Sequence, residues 1–165
     1  MKEEKLSHVD EQNNPTMVDV SHKSVTQRTA TARSMVTLGK DVWAQLSPSK
    51  ENVSDIYTKK GPVFQTAIIA GTMAVKKTSE LIPFCHPLAI EKCTIRITPA
   101  ENYEVLIECT VAISGKTGVE MEALTGATVA ALTLYDMCKA LSHHIVIRET
   151  RLLEKKGGKS DFKNS

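Results

Sequence analysis

The sequence predicts an α+β domain in which an antiparallel sheet packs against helices. Two neighbouring segments alternate apolar and polar residues with the period of two that is typical of strands, and the turn sequence PAEN joins them as a hairpin. A helical pattern precedes this hairpin, a longer one follows it, and strand patterns stand at both ends. This is the β-α-β-β-α-β order of ferredoxin-like folds, here with an added short helix.

The first strand pattern lies within residues 18–38, which are rich in valine and threonine. After it we predict a short helix over residues 41–46 and then a polar loop over residues 47–60. With a period of two, one face of the strand holds Arg28, Ala30, Ala32, Val36 and Leu38, and the other holds Val25, Arg33 and Met35.

A stronger helix is predicted to open at Gly61 and Pro62, because proline suits the first turn of a helix. Lys76 and Lys77 lie near its end, where positive charge complements the helix dipole. The next segment, IPFCHPL, has two prolines four residues apart, so we expect a rigid extended loop there. The predicted inner face of the helix consists of Phe64, Ile68, Gly71 and Val75.

The hairpin strands are EKCTIRIT and YEVLIECTVAI, and one face of the pair is expected to be buried, with Cys93, Tyr103 and Cys109 on it. A long helix is predicted over residues 119–142. Residues 123–135 carry no charge, so this helix is expected to be covered on both sides, in part by a partner subunit. The last strand pattern is IVIRETRLL.

A chain of 165 residues fits one domain with a single core. We expect a flexible arm over residues 1–17, one ferredoxin-like domain over residues 18–154 and a flexible basic tail over residues 155–165. The first residues lack the apolar core of a signal peptide, so a cytoplasmic location is the default expectation. The net charge is +2, which provides no general field for a polyanion, and any anion site must therefore be local.

The stretch ISGKTGVEMEALTG is similar to a phosphate-binding loop, but that loop needs a glycine where this chain has Thr110. We therefore reject a P-loop. Gly115 and Gly118 are instead expected to form a tight turn into the long helix. Glu120 and Glu122 fall in the first helical turn, where one can stabilise the helix dipole and the other can accept hydrogen bonds from a guanine-like edge.

Asp136 and Lys139 lie three residues apart on one face of the long helix, at the end of an apolar stripe. Two interpretations stay open for this pair. It is either a solvated ion pair at a helix end, or an acid/base pair whose proton affinities are tuned by partial burial and by each other.

His86 stands between Cys85 and a proline on the stiff loop. Zinc is disfavoured there, because the nearest further thiol, Cys93, falls on a core face and closed zinc sites use paired ligands at short spacing. The histidine is expected either to bind an anion or transfer a proton, or to bond to the backbone.

Several basic residues could form a local anion site. Lys60 precedes a helix start, where N–H groups and the helix dipole favour an anion. Lys155 and Lys159 flank a Gly-Gly pair, which suggests either a basic loop that closes over phosphates or a frayed terminus. An RNA-binding sheet is disfavoured, because aromatic residues are only 4% of the chain and Tyr103 is the one aromatic in the hairpin strands.

Five stretches together resemble the MoaC family, the cyclic pyranopterin monophosphate synthases of molybdenum cofactor biosynthesis. In chain order, the stretches are MVDVSHKSVTQRTATA, KKGPVFQTAIIAG, LIPFCHPL, GKTGVEMEALTGATVAALTLYDMCKA and RLLEKKGGKSDF. They run from about residue 7 to residue 162, and several are long and specific.

The resemblance implies a lyase that converts 3',8-cyclo-7,8-dihydroguanosine 5'-triphosphate to cyclic pyranopterin monophosphate and releases pyrophosphate. It also implies hexamers built as trimers of dimers, with the active site between two subunits. It implies no cofactor, and leaves open whether Mg²⁺ accompanies the phosphates. Matched to the family's motifs, the catalytic pair is Asp136 and Lys139, and the substrate-binding residues are Arg28, Lys60, Cys85, His86, Glu120, Glu122, Lys155 and Lys159.

The chain departs from the family's pattern in its tail, which reads GGKSDF where the family commonly has GGKSGDF. The missing glycine shortens the closing loop and leaves the placement of Lys159 open, whereas Lys155 precedes the change. Two further alternatives are a regulatory module that binds a nucleotide without changing it and a zinc-dependent pterin enzyme.

Overall fold

The structure is a computed structural model that describes residues 9–10, 12–47 and 55–164. Its helices are α1 (Lys40–Trp43), α2 (Val63–Lys76), α3 (Thr78–Leu81) and α4 (Glu120–Cys138). Its strands are β1 (Thr26–Thr37), β2 (Leu46–Ser47), β3 (Asp55–Thr58), β4 (Gly61–Pro62), β5 (Lys92–Pro99), β6 (Glu104–Gly115), β7 (Val146–Lys156) and β8 (Phe162–Lys163).

The main sheet is antiparallel, and its strands lie in the order β5, β6, β1, β7, β8. The four long strands occupy the positions that a ferredoxin-like fold gives them, so the predicted fold class is confirmed. β1 pairs with β6 from Thr26 opposite Gly115 to Thr37 opposite Glu104. This register places the start of β1, including Arg28, beside the turn that leads from β6 into α4.

The core lies between the sheet and the two long helices, α2 and α4. The predicted inner face of β1 is confirmed, because Ala30, Ala32 and Val36 are at most 1% exposed. The helices approach closely where Gly71 faces Gly126. A Cβ on Gly71 would lie 2.8 Å from the carbonyl oxygen of Gly126, so only glycine permits this packing.

The predicted polar loop contains a strand, because β3 pairs there with β2 and with β4; residues 48–54 lie outside the described residues. The carboxylate of Asp55 in β3 is buried and accepts hydrogen bonds from the N–H groups of Phe64 and Gln65, at 2.7 and 3.3 Å. These bonds satisfy donors at the start of α2. The helix therefore begins at Val63, two residues later than predicted.

The prediction that Tyr103 lies on the core face is wrong. Its φ of +61° ends the strand pairing before β6 begins, and the residue is 44% exposed. Its ring instead meets Trp43 edge-on, with 6.0 Å between the ring centroids. A turn conformation with positive φ therefore overrides the alternating pattern at this position.

Two boundaries also differ from the predicted ones. α4 ends at Cys138, and its outer face is open in the single chain, where Leu132 is 57% exposed. β7 continues to Lys156, so the predicted boundary between domain and tail falls inside a strand. Of the helices within residues 12–47 and 55–164, none has the length and apolar character needed to cross a membrane.

Candidate active site

Two adjoining cavities, of about 380 and about 160 Å³, lie at the N-terminal end of α4. The turn between β6 and α4 separates them, and both are lined by Lys23, Thr117, Gly118 and Glu120. We call the two together the groove. β1 and β7 supply residues to the groove, and so does the turn that follows β6, so the groove depends on the sheet register.

The larger cavity combines apolar walls with a few polar groups. Its apolar side chains are Val18, Val20, Phe84, Leu88 and Met121. Its polar side chains include Cys85, His86, Glu120 and Glu122. Apolar walls with a small number of placed hydrogen-bonding groups suit a flat heterocycle with donor and acceptor edges.

His86 contacts the backbone as well as the cavity. Its Nε2 lies 2.9 Å from the carbonyl oxygen of Val18. A carbonyl oxygen only accepts hydrogen bonds, so Nε2 is the nitrogen that donates, and Nδ1 is the nitrogen left to face other partners. The backbone-bonded interpretation is therefore confirmed for Nε2, while the ring still lines the cavity.

Glu122 and Cys85 have raised pKa values in the larger cavity. Glu122 is only 4% exposed, and its burial raises the pKa of its carboxyl group, with a further contribution from the charge of Glu120. Burial also raises the pKa of the Cys85 thiol, and the charge of Glu122 adds to this effect. Cys85 therefore remains a thiol at neutral pH and is a poor nucleophile.

The smaller cavity is basic. Arg28 lies at its base and donates to the carbonyl oxygens of Gly115 and Lys116, at 3.3 and 3.5 Å. Lys155 reaches Glu120 across the cavity, with 3.1 Å between its Nζ and Oε1. The cationic residues that line the cavity are Lys23, Arg28, Lys116, Lys155, Lys156 and Lys159. Such a concentration of positive charge suits a polyanion such as a triphosphate.

The basic tail reaches the groove through a tight turn. Gly157 has a φ of +81°, and a Cβ there would collide with the carbonyl oxygen of Gln27, so this position requires glycine. Its N–H donates to Asp161 Oδ1 at 3.0 Å, and β8 then pairs with β7. The shortened tail thus folds back as a hairpin whose turn places Lys159 at the basic cavity.

A second cluster joins Lys60, Asp136 and Lys139. The two carboxylate oxygens of Asp136 bind one lysine each, at 2.8 Å to Lys60 Nζ and 2.7 Å to Lys139 Nζ. All three side chains are about half exposed. Bonds from Lys139 and then Lys60 lower the pKa of Asp136 to about 2, and the same bond to Asp136 raises the pKa of Lys139.

Asp136 and Lys139 therefore form a solvated ion pair in the single chain, and they lack the partial burial that would tune them as an acid/base pair. They also lie far from the groove. Glu120 and Asp136 stand at opposite ends of α4, and 16 residues at 1.5 Å each separate them by about 24 Å. The structure brings Arg28, Cys85, His86, Glu120, Glu122, Lys155 and Lys159 together at one end, and Lys60 with Asp136 and Lys139 at the other.

Three contributions to the site were missed in the sequence. The strand prediction began at Val18, whereas β1 begins at Thr26 and the residues before it cross the larger cavity. The Asp19-x-Ser21 pattern, typical of a turn, could have indicated this. Lys116 was given no role, and no local signal marks Asp55, whose hydrogen bonds reach nine and ten residues ahead.

The sequence model of the MoaC family matches residues 17–158, which is most of the chain. The chain belongs to the MoaC family. A cyclic pyranopterin monophosphate synthase of Xanthomonas oryzae pv. oryzae is 54% identical over 96% of this chain and 93% of its own length. One of Staphylococcus carnosus is 50% identical over 94% of this chain and 93% of its own. The predicted family is confirmed.

One longer relative contains a similar sequence as part of a larger protein. The molybdenum cofactor biosynthesis protein 1 of Dictyostelium discoideum is 56% identical over 88% of this chain, which spans only 25% of that relative's length. The described part of this MoaC chain has no group of three or more His, Cys, Asp or Glu side chains placed to hold a metal ion.

Proposed function

We propose that this protein is a lyase that converts 3',8-cyclo-7,8-dihydroguanosine 5'-triphosphate to cyclic pyranopterin monophosphate with release of pyrophosphate. The observation that carries the proposal is the joined pair of cavities. One is apolar with carboxylates and an imidazole, and the other is basic. The substrate likewise has two joined parts: a purine-derived ring system, which suits the apolar cavity, and a triphosphate, which suits the basic one.

The basic cavity would hold the phosphates. A hydroxyl group of the substrate gives its proton to a base while its oxygen forms a bond to the α-phosphorus. The bond from that phosphorus to the β-phosphate oxygen breaks, and pyrophosphate leaves with its negative charge. Arg28, Lys155 and Lys159 would neutralise that charge as it develops. The prediction of no cofactor is untested, and any Mg²⁺ that accompanies the phosphates would take substrate oxygens as ligands.

The larger cavity would hold the ring system. Glu120, held by Lys155, would accept hydrogen bonds from ring N–H groups as a carboxylate. Glu122 has a raised pKa, so its carboxyl group would exchange a proton more readily near neutral pH than an ordinary glutamate. Nδ1 of His86 would offer an acceptor, and the Cys85 thiol a weak donor.

Asp136 and Lys139 would move protons during ring opening and closure, and Lys60 would bind a phosphate. This requires a second copy of the chain, because about 24 Å separates these residues from the groove of their own chain. Exposed apolar side chains on α2 and α4, including Ile69 and Leu132, support a homo-oligomer with shared sites. We propose the hexamer built as a trimer of dimers as that assembly, and a cytoplasmic location.

Assembly with a second subunit would also give Lys139 a pKa that suits a general acid or base. A general acid or base works best with a pKa near the operating pH, whereas the pair with Asp136 shifts the pKa of Lys139 upward in the single chain. Covering the cluster with the basic groove of a partner would remove water and add positive charge, and both changes lower the pKa of a lysine.

The test is turnover of the cyclised guanosine triphosphate by the purified protein, followed by mass spectrometry for the pyranopterin and by a pyrophosphate assay. Both products are expected in equal amounts. Tight binding of the substrate without either product would overturn the lyase and favour a binding module. Activity should persist after treatment with a chelator and dialysis if no metal is held by the protein.

A further inference from the structure

Residues 18–23 form a strap that crosses the groove. Val18 and Val20 line the larger cavity, and Lys23 lines both cavities. The strap has a defined shape, because Asp19 Oδ1 accepts a hydrogen bond from the N–H of Ser21 at 2.8 Å, and the N–H of Lys23 donates to Val20 at 3.1 Å. It thus forms part of the wall of the groove while lying outside the sheet.

Two side chains hold this strap through its backbone. His86 Nε2 donates to the carbonyl oxygen of Val18 at 2.9 Å, and Lys116 Nζ donates to the carbonyl oxygen of Ser21 at 2.8 Å. Within residues 12–47 and 55–164, these are the hydrogen bonds that tie the strap to the rest of the chain. Both anchoring residues also line the groove.

Lys116 is itself firmly placed. It lies in the turn between β6 and α4, and Arg28 donates to its carbonyl oxygen at 3.5 Å and to that of Gly115 at 3.3 Å. The side chain then leaves the basic cavity to reach Ser21. An ammonium group has three donors, so the bond to Ser21 leaves two that can face an anion.

We propose that Lys116 is a positioning residue that holds the strap closed over the substrate and thereby places Lys23 where the two cavities meet. The proposal rests on the proposed function, since it takes the groove as the substrate site. The strap then forms part of the binding site before the substrate arrives. Loss of the Lys116 hydrogen bond therefore lowers the affinity for substrate more than it lowers the rate of the chemical step. Such a loss raises KM and leaves kcat nearly unchanged.

The experiment compares Lys116→Met with Lys116→Arg and with Lys92→Met, an exposed lysine of β5 outside the groove. Hydrogen–deuterium exchange of a peptide that spans residues 18–23 is measured without substrate. We expect about fivefold faster exchange in Lys116→Met, the effect of losing one hydrogen bond worth about 1 kcal/mol, and near-normal exchange in Lys116→Arg and Lys92→Met. Unchanged exchange in Lys116→Met would overturn the proposal.

Steady-state kinetics distinguish two roles for Lys116: holding the strap and binding a phosphate directly. Lys116→Met should raise KM about fivefold with kcat within about twofold of the wild type. Asp19→Ala breaks the turn that presents Ser21, although Asp19 does not line either cavity. If both substitutions act through the strap, the double variant Asp19→Ala/Lys116→Met is expected to have a KM no higher than that of Lys116→Met alone. Additive losses would overturn the proposal.

Failure of the proposed lyase activity can be told apart from failure of the strap proposal. A wild-type protein that forms no product would refute the lyase, and the exchange measurements would still decide for or against the strap. The strap proposal therefore has a readout that does not depend on catalysis.

Discussion

At the N-terminal end of α4, Glu122 is 4% exposed and lines the larger cavity, whereas at the C-terminal end Asp136 is 51% exposed and is held by two lysines. The pKa values of these two carboxyl groups are shifted in opposite directions. Burial raises the pKa of Glu122, and bonds to Lys139 and Lys60 lower that of Asp136 to about 2. One helix thus carries a buried group that favours its proton and an exposed group that does not.

Under the proposed function, this difference separates substrate binding from proton transfer. The groove end is built from one chain and has the walls, charges and hydrogen-bonding groups that a substrate needs. The other end has charges paired in solvent, where such pairs contribute little to stability and are easily rearranged. We infer that the C-terminal end acquires its function only when a second subunit covers it.

The largest expected effect is the loss of turnover in Lys139→Ala. Removal of a general acid or base costs about a thousandfold in rate, so kcat should fall by about that factor while the affinity for substrate changes little. The measurements are steady-state kinetics and calorimetric titration with substrate. Lys76→Ala, at the exposed end of α2, is the control. A kcat within tenfold of the wild type would remove Lys139 from the chemistry.

Complementation between two inactive variants tests whether the two ends of α4 meet across subunits. Lys139→Ala lacks the cluster, and Arg28→Ala lacks part of the groove. In a mixed C2 dimer one of the two sites is intact, so co-expression should restore about a quarter of the wild-type activity. Each variant expressed alone is the control. Mixed oligomers without activity would show that each site is built within one chain.

A smaller effect is expected from Gly157→Ala. The new Cβ would collide with the backbone of Gln27, so the tail turn must move and withdraw Lys159 from the groove. We expect kcat/KM to fall about tenfold, roughly the loss of one charged hydrogen bond. Gly39→Ala is the matched control, because Gly39 also has a positive φ, of +77°, but its Cβ would meet nothing within 4 Å and it lines neither cavity. Equal effects of the two substitutions would contradict a specific role for Gly157.

The smallest expected effect concerns stability and pH in Glu122→Gln. The folded-state pKa of Glu122 is raised, so its contribution to stability is complete below the ordinary pKa of glutamate and is lost as pH rises through the folded-state value. The variant should therefore match the wild type at pH 4 and exceed its Tm at pH 8 by about 2–4 °C, the shift that about 1 kcal/mol produces. Calorimetry at both pH values measures this.

Glu101→Gln, at an exposed turn, serves as the control for that comparison. A Glu122→Gln variant whose Tm relative to the wild type is the same at pH 4 and pH 8 would show that burial does not raise the pKa of Glu122.

The fold could be predicted because its signals are local. The alternation in β1 and β6 and the long uncharged stretch of α4 each follow from the period of one element. The predictions failed where a distant contact or a turn decided the outcome. Asp55 reaches nine residues ahead to the start of α2, and the positive φ of Tyr103 removes it from its strand.

By itself, the sequence determined the order of the long helices and strands, the family and the residues with chemistry to offer. Only the tertiary structure decided which of them stand together. The register of β1 with β6 and β7 brings Arg28, Glu120 and Lys155 into one groove, and the length of α4 keeps Asp136 about 24 Å away. The physical reason is that periodicity depends on neighbours a few residues apart, whereas a site depends on distances between residues far apart in the chain.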